Sequence, residues 1–307
     1  MRHEGYVRRT RWLLVGGLAA TMLVPAPAGS TLPQRPVRTT TAYEMEPAGA
    51  PGALAWAQAS RSRPNAFAVF ARRGGSTFRV SRSGRRAFVW GGAIESNKLV
   101  YSEFGGPTAN LWFFELATKK RTSPPPGVNS PVSENGASRA GDWLLFRRTR
   151  LSTSTERIVL RNIDTDEERL LATAVGSKYA QPGTVAGDWA TWIRCPTPRA
   201  CRAFLYHIPT ATTTAVPNPN RRSQYAVSTT PAGTVYFAES TNINCGFGRR
   251  LLRYDSGGRA LLVVFGPRQD PAITSPVVNA NGSTTVFYDR FNCRTGASNL
   301  YKVVDPP

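Results

Sequence analysis

The sequence predicts an all-β chain folded as a six-bladed β-propeller of four-stranded antiparallel blades. Three observations predict it. Short apolar words recur along most of the chain, each carries an aromatic residue at its fourth position, and each is followed, after a turn, by a second strand-like word. The first ladder reads ALAW (53–56), KLVY (98–101), WLLF (143–146), WATW (189–192), TVYF (234–237) and TVFY (285–288). Successive words start 45, 45, 46, 45 and 51 residues apart. A period near 45 residues with room for four strands is the signature of a propeller blade.

Each element follows from that period. The fourth-position aromatics are Trp56, Tyr101, Phe146, Trp192, Phe237 and Tyr288, placed to pack one blade against the next. The second ladder, the third strand of each blade, reads NAFAVF (65–70), NLWFFEL (110–116), RIVLRNI (157–163), RAFLYHI (202–208), RLLRYD (250–255) and NLYKVV (299–304). Further short strands flank these, such as AFVW (87–90) and SPVV (275–278) upstream and RLLAT (169–173) and ALLVVF (260–265) downstream. Continuous apolar words suit strands covered on both faces, where strict alternation is not required. The repeated AGDW (140–143 and 186–189) reads as the turn into a second strand, with Gly141-Asp142 and Gly187-Asp188 making the bend.

The sixth unit stops at Asp305-Pro306-Pro307 without an outer strand, so a strand from elsewhere is expected to complete it. VRTTTAYEM (37–45) is β-branched and aromatic, and is predicted to join the ring at the seam. Tyr43 also lies 45 residues before Phe88, so TAYEM equally fits the first strand of blade one. The residues leave both open. The expected organisation is a signal peptide over 1–28, an N-terminal segment with a seam strand over 29–52, and the propeller over 53–307.

Arg2, Arg8, Arg9 and Arg11 precede the apolar run WLLVGGLAATMLV, which is followed by Ala26 and Ala28 in A-x-A spacing. That order is a signal peptide cut near Ala28, because the run is short for a membrane span of about 20 residues. The chain is therefore expected outside the cytoplasm, secreted or in the cell envelope, with Sec and Tat export both open. Removing those four arginines and Glu4 takes the formal charge from +20 to +17.

The blade units resemble the TolB-like or WD40-like propeller repeat. SPVSENGASRAGDWLLF…RIVLRNIDTDEERLL (130–171) and SPVVNANGSTTVFYDR…SNLYKVVD (275–305) carry the resemblance most fully. Blade five has Pro231-Ala232-Gly233 where the repeat has an acidic or amide residue before glycine, and blade four departs further. The motif is loose, and it implies a fold and a docking or gating role without naming a partner.

Four cysteines in an exported chain point to disulfides. Cys195 and Cys201 flank PTPRA in the hairpin between the second and third strands of blade four, and Cys245 and Cys293 occupy the same hairpin in blades five and six. The expected pairs are Cys195–Cys201 and Cys245–Cys293. Their spacing is not that of a zinc site, and neither metal nor cofactor is expected. Asp164-Thr165-Asp166-Glu167-Glu168 lacks the glycine and the final glutamate of a calcium loop and reads as the acidic turn closing blade three. His207 lies in a third strand with no serine and carboxylate beside it in sequence, and GxSxG and HExxH are absent.

Arg148, Arg194 and Arg290 all end second strands, with Glu103 and Glu239 at equivalent places, so they share a face with the cysteine hairpins. That hairpin face is the candidate contact surface. The basic pairs, Arg72-Arg73, Arg85-Arg86, Arg147-Arg148, Arg221-Arg222 and Arg249-Arg250, are spread over several blades. The expected function is a non-catalytic binding or scaffold protein, monomeric, whose partner is a protein or an anionic cell-envelope polymer rather than a specific nucleic acid. The alternatives are a lyase or hydrolase acting on an anionic polysaccharide at the central channel, and non-specific polyanion adhesion through the basic surface.

Overall fold

A computed structural model of the protein describes residues 31–197, 200–241, 249–266 and 268–307. The expected signal peptide lies outside the described residues. Six antiparallel sheets form the six blades of a propeller. Second strands start at Ala53, Lys98, Trp143, Trp189, Val235 and Thr284, at or within one residue of the first-ladder words. Blade three shows the pattern: Ser133–Ala140 innermost, then Trp143–Arg150, Thr155–Asn162 and Glu168–Val175 at the rim. Blade four runs Tyr179–Ala186, Trp189–Thr197, Ala200–His207 and Thr212–Ala215.

A single twisted sheet exposes two apolar faces, and radial stacking buries both against neighbouring blades. The six fourth-position aromatics are all at most 3% exposed, and the apolar clusters run from blade to blade. The AGDW turns lie where expected, with Gly141 at φ 55° and Gly187 at φ 53°, a conformation that glycine adopts without a Cβ clash.

Both readings of the N-terminal segment are realised, by different residues. Arg35–Arg38 is the outer strand of blade six, paired antiparallel with Ser298–Asp305 in the register Arg35↔Lys302, Pro36↔Tyr301 and Arg38↔Leu300. Tyr43–Ala50 then turns back as the innermost strand of blade one, so the ring starts well before residue 53. The seam is tied further by Tyr288, whose hydroxyl donates to Gln34 Oε1 at 2.7 Å, and by Leu32 N–H to Leu262 O at 2.9 Å.

The innermost strands share a departure from regular pairing. Blades one, three, four, five and six each shift register at the same place, between Met45 and Ala48, Asn135 and Ser138, Pro182 and Val185, Tyr225 and Ser228, and Pro271 and Thr274. Blade two goes further: its inner strand breaks into Ala87–Phe88 and Ile94–Glu95. A bulge bends its strand and frees backbone N–H groups from the ladder. Hydroxyls from neighbouring blades take up several of them. Ser138 Oγ accepts from Val185 N–H at 2.8 Å, and Thr184 Oγ1 accepts from Thr229 N–H at 2.7 Å. Ser228 and Thr274 hydroxyls lie 2.7 Å apart. Ser275 Oγ accepts from Gly49 N–H at 2.9 Å and Gly92 N–H at 3.3 Å, bridging blades six, one and two. The circuit closes with Arg139 N–H to Gly92 O at 3.0 Å. Glycine is required at 91, where a Cβ would come within 2.2 Å of Thr274 O.

Tyr288→Phe removes one seam hydrogen bond and is expected to cost about 1 kcal/mol. Deletion through residue 42 strips the whole outer strand from blade six and should cost several times more. Urea unfolding of both variants checks this; equal midpoints would mean that the seam strand contributes nothing.

Candidate binding face

Second strands run from the axial turns at one face of the ring to the hairpins at the other, so the two faces differ in chemistry. On the face of the AGDW turns, all six blades contribute to a funnel of about 290 Å³ around the axis. Its wall is mostly backbone and small apolar side chains, including Ala140, Val185, Pro231 and Val277, with Glu95 and Arg139 as its charged groups. Trp90 crosses the axis from blade two, and its indole N–H donates to Pro182 O of blade four at 3.0 Å. The space left around it is about 10 Å³, room for at most about one water.

The opposite face carries the hairpins between second and third strands. The register places Glu103, Arg148, Arg194, Glu239 and Arg290 toward its end of their second strands. Across from the inner strands, Ala87 faces Glu103, Glu134 faces Arg148, Ala180 faces Arg194, Gln224 faces Glu239, and Pro271 faces Arg290. Four of the five are engaged inside their own blades. Glu103 is buried and takes a bidentate contact from Arg121, with one N···O distance of 3.0 Å. Arg148 bridges Glu134 at 3.3 Å and Glu168 at 2.9 Å. Burial pushes the Glu134 carboxyl up, while the hydroxyl of Ser130 and Arg148 pull it back. Glu239 is buried against Arg259 at 2.6 Å. Arg290 donates to the Tyr301 hydroxyl and lies 3.7 Å from that ring's centroid.

Arg194 is the exception. It is exposed, and neither a carboxylate nor a hydrogen-bond acceptor meets its side chain among the described residues. It opens into a cleft of about 550 Å³ between blades four and five, where Lys178, Arg202, Arg221 and Arg222 converge with it. Among the described residues, no carboxylate lines that cleft. Of the basic pairs noted in the sequence, Arg221-Arg222 is the one brought into it; Lys178 and Arg202 are cations that reading along the chain did not single out. The signal for them was positional, since Arg202 lies directly across the ladder from Arg194.

The Cys195–Cys201 disulfide forms as expected and braces this hairpin, with Cα atoms 4.0 Å apart. The expected Cys245–Cys293 bridge includes Cys245, outside the described residues. Cys201 also borders a second cavity of about 310 Å³ nearer the axis, with Tyr179, Gln181, Ser223, Tyr225, Arg249 and Asp270. The Tyr225 hydroxyl is buried and has no hydrogen-bond partner among the described residues, and burial raises its pKa.

His207 lies far along its strand, packed at a tilt against Trp189 with ring centroids 4.3 Å apart, its Nδ1 2.8 Å from the Thr210 hydroxyl. In the acidic turn of blade three, Asp166 pairs with Arg161, Glu167 with Arg169, and Glu168 with Arg148 and Arg161. Among the described residues, no group of three or more His, Cys, Asp and Glu side chains is placed to hold a metal ion, and no helix is long and apolar enough to cross a membrane.

No protein-family model matches the chain, and no curated protein matches it in sequence. Its fold is similar to that of TolB from Acinetobacter baumannii, with a TM-score of 0.56 at 10% identity over 86% of this chain and 63% of that one. It is similar also to an acylaminoacyl peptidase from Pyrococcus horikoshii, at 0.53 and 10% over 87% of this chain and 52% of that one. A third similar structure is regucalcin, a calcium-binding protein from Agrobacterium tumefaciens, at 0.56 and 11% over 91% and 97%. The chain thus spans about half to two thirds of the length of the first two. At these identities the likeness establishes a TolB-like propeller fold.

One pair of carboxyls, the buried Asp289 and the half-buried Glu46, makes stability depend on pH. Asp289 accepts the bulge N–H groups of Ala272 and Ile273, each at 2.9 Å, and reaches Glu46 N–H at 3.4 Å. Burial, and then the neighbouring Asp289, push the Glu46 carboxyl well above its ordinary range, while Arg147 pulls it down; burial raises Asp289 too. Raised carboxyls hold more protons folded than unfolded. Stability therefore falls as pH rises from the ordinary carboxylate range through the raised folded values. Glu46→Gln is expected to flatten that fall and to stabilise the protein at neutral pH. Urea midpoints between pH 4 and 8 check this; an unchanged profile would show that Glu46 does not contribute to it.

Proposed function

We propose that this chain is an exported, non-catalytic propeller that binds a protein or cell-envelope ligand through the hairpin face over blades four and five. One observation carries the reading. The charged positions around that face are engaged within the fold in blades two, three, five and six, whereas blade four leaves Arg194 open in a cleft of cations. A disulfide-braced hairpin beside the cleft fits a rigid contact surface and an oxidising compartment. The funnel, by contrast, has an apolar wall above an axis occupied by Trp90, which supports binding over chemistry at the channel.

Export implies a chain that begins near residue 29, which N-terminal sequencing of secreted material reads directly; a start at Met1 would remove export by cleavage from the account. Function is tested by capture from envelope extract with the oxidised parent and with an Arg194→Glu, Arg202→Glu variant. The expected result is a ligand held by the parent and lost by the variant. Equal capture by both would move the contact surface elsewhere. Turnover of an envelope polymer by the parent, lost in His207→Ala with the fold intact, would replace binding with catalysis.

A further inference from the structure

We propose that the cleft between blades four and five binds an acidic glycan: a hydroxyl-rich chain carrying carboxylate or phosphate groups at intervals. The inference rests on the binding reading of the same face and names its ligand. Arg194 and Arg202 are direct cross-strand neighbours, so both side chains leave the same side of the sheet. Like charges opposite one another destabilise a ladder unless something lies between them. Blade three shows the arrangement resolved from within. There Arg148 faces Arg157 across the ladder, and Glu134 and Glu168 meet Arg148. The matching positions in blade four are Ala180 and Thr213, and neither supplies a carboxylate. What blade three holds as part of its own chain, blade four leaves for a ligand to bring.

The other wall of the cleft is pre-shaped. Asn218 clasps the backbone of Arg222 from both sides, donating to its carbonyl at 2.6 Å and accepting its N–H at 2.9 Å. Arg221 is held at φ 50°, a conformation uncommon for a residue with a Cβ. The result turns Arg221 and Arg222 into the cleft together. Arg222 Nη1 is buried with no hydrogen-bond partner among the described residues, a cost that an anion would remove.

Five cations around about 550 Å³ exceed what one small anion satisfies, so the ligand carries several anionic groups. Guanidinium forks suit carboxylate and phosphate alike. The uncharged surroundings select among polyanions. Phe204 presents a half-buried ring in the cleft, stacked from behind by Trp192 at 5.3 Å. Beyond Cys201 the second cavity offers Gln181, Ser223 and the Tyr225 hydroxyl, which has no hydrogen-bond partner among the described residues, with Asp270 there paired to Arg249. Rings, amides and hydroxyls beside cations match a sugar or polyol chain better than the apolar centre that a stable protein interface requires.

Calorimetric titration tests this with the exported, oxidised chain and four probes: an oligogalacturonate, a poly(glycerol phosphate), a polyglutamate of equal charge and inorganic phosphate. The first two separate carboxylate from phosphate, and binding of either supports the proposal. Arg194→Ala with Arg202→Ala should weaken it by about 30-fold or more, and Arg222→Ala by roughly tenfold. Arg157→Ala in blade three should change it by less than about twofold, and Tyr225→Phe should weaken the glycans without affecting polyglutamate. The double variant should unfold at no lower urea concentration than the parent, since it removes a repulsion. Glycan binding that survives the double variant would overturn the cleft as the site. Polyglutamate bound in preference, and lost in the double variant, would overturn the glycan while leaving the binding face intact. Inorganic phosphate bound as tightly as the oligomers would replace the polymer with a small anion. Failure of every probe would overturn the proposal, and the capture experiment would then decide the binding reading by itself.

Discussion

The rest of the structure depends on the way six inner strands share one axis. Strands that converge radially cannot all keep regular ladders, because their backbones crowd where the blades meet. The chain resolves this with a bulge at one place in five inner strands and a break in the sixth. Each bulge turns backbone groups away from its own sheet, and serine and threonine hydroxyls of adjacent blades bond several of them. The same bends accompany the convergence of the blades, within which the aromatic at the centre of each second strand is buried against its neighbour. Closure at the axis and burial between blades are therefore one constraint seen at two radii.

Charge is arranged on that frame by position within the blade. A strand end at the hairpin face has three sources of counter-charge: the inner strand, the outer strand and the next blade. Blade two uses an outer-strand arginine, blade five likewise, and blade three uses glutamates from both sides. Blade four keeps the arginine and omits the acids. The two blades differ there by small changes in side chain within an equivalent backbone, so the cleft arises from what blade four lacks rather than from an added element. A propeller can place a binding site in this way without disturbing its closure.

Much of the fold was legible because the aromatic ladder obeys a strict positional rule: Trp56, Tyr101, Phe146, Trp192, Phe237 and Tyr288 occupy a place where little else fits. The hydroxyl circuit keeps nearly the same period, with Ser138, Thr184, Ser228 and Thr274 spaced 46, 44 and 46 apart. It went unread because serine and threonine are common and each has a mundane local use. The N-terminal segment looked ambiguous because both readings were correct for adjacent pieces of chain. The binding face was legible only as a set of strand ends. That Glu103, Arg148 and Glu239 are paired internally while Arg194 is not depends on outer-strand partners, whose register emerges only when the blades are superposed by ladder position. The Asn218 clasp, which aims Arg221 and Arg222, is a loop geometry with no periodic signal.

The measurement that tests the central claim most directly is to give blade four the carboxylate that blade three has. Thr213 is exposed and occupies the ladder position of Glu168. Thr213→Glu should raise the urea midpoint at low salt, lose that gain at high salt, and weaken binding of the acidic ligand in the same protein. A variant that binds as the parent does, with no gain in stability, would contradict the account: Arg194 and its neighbours would then be an ordinary solvated surface, not a site completed by a ligand.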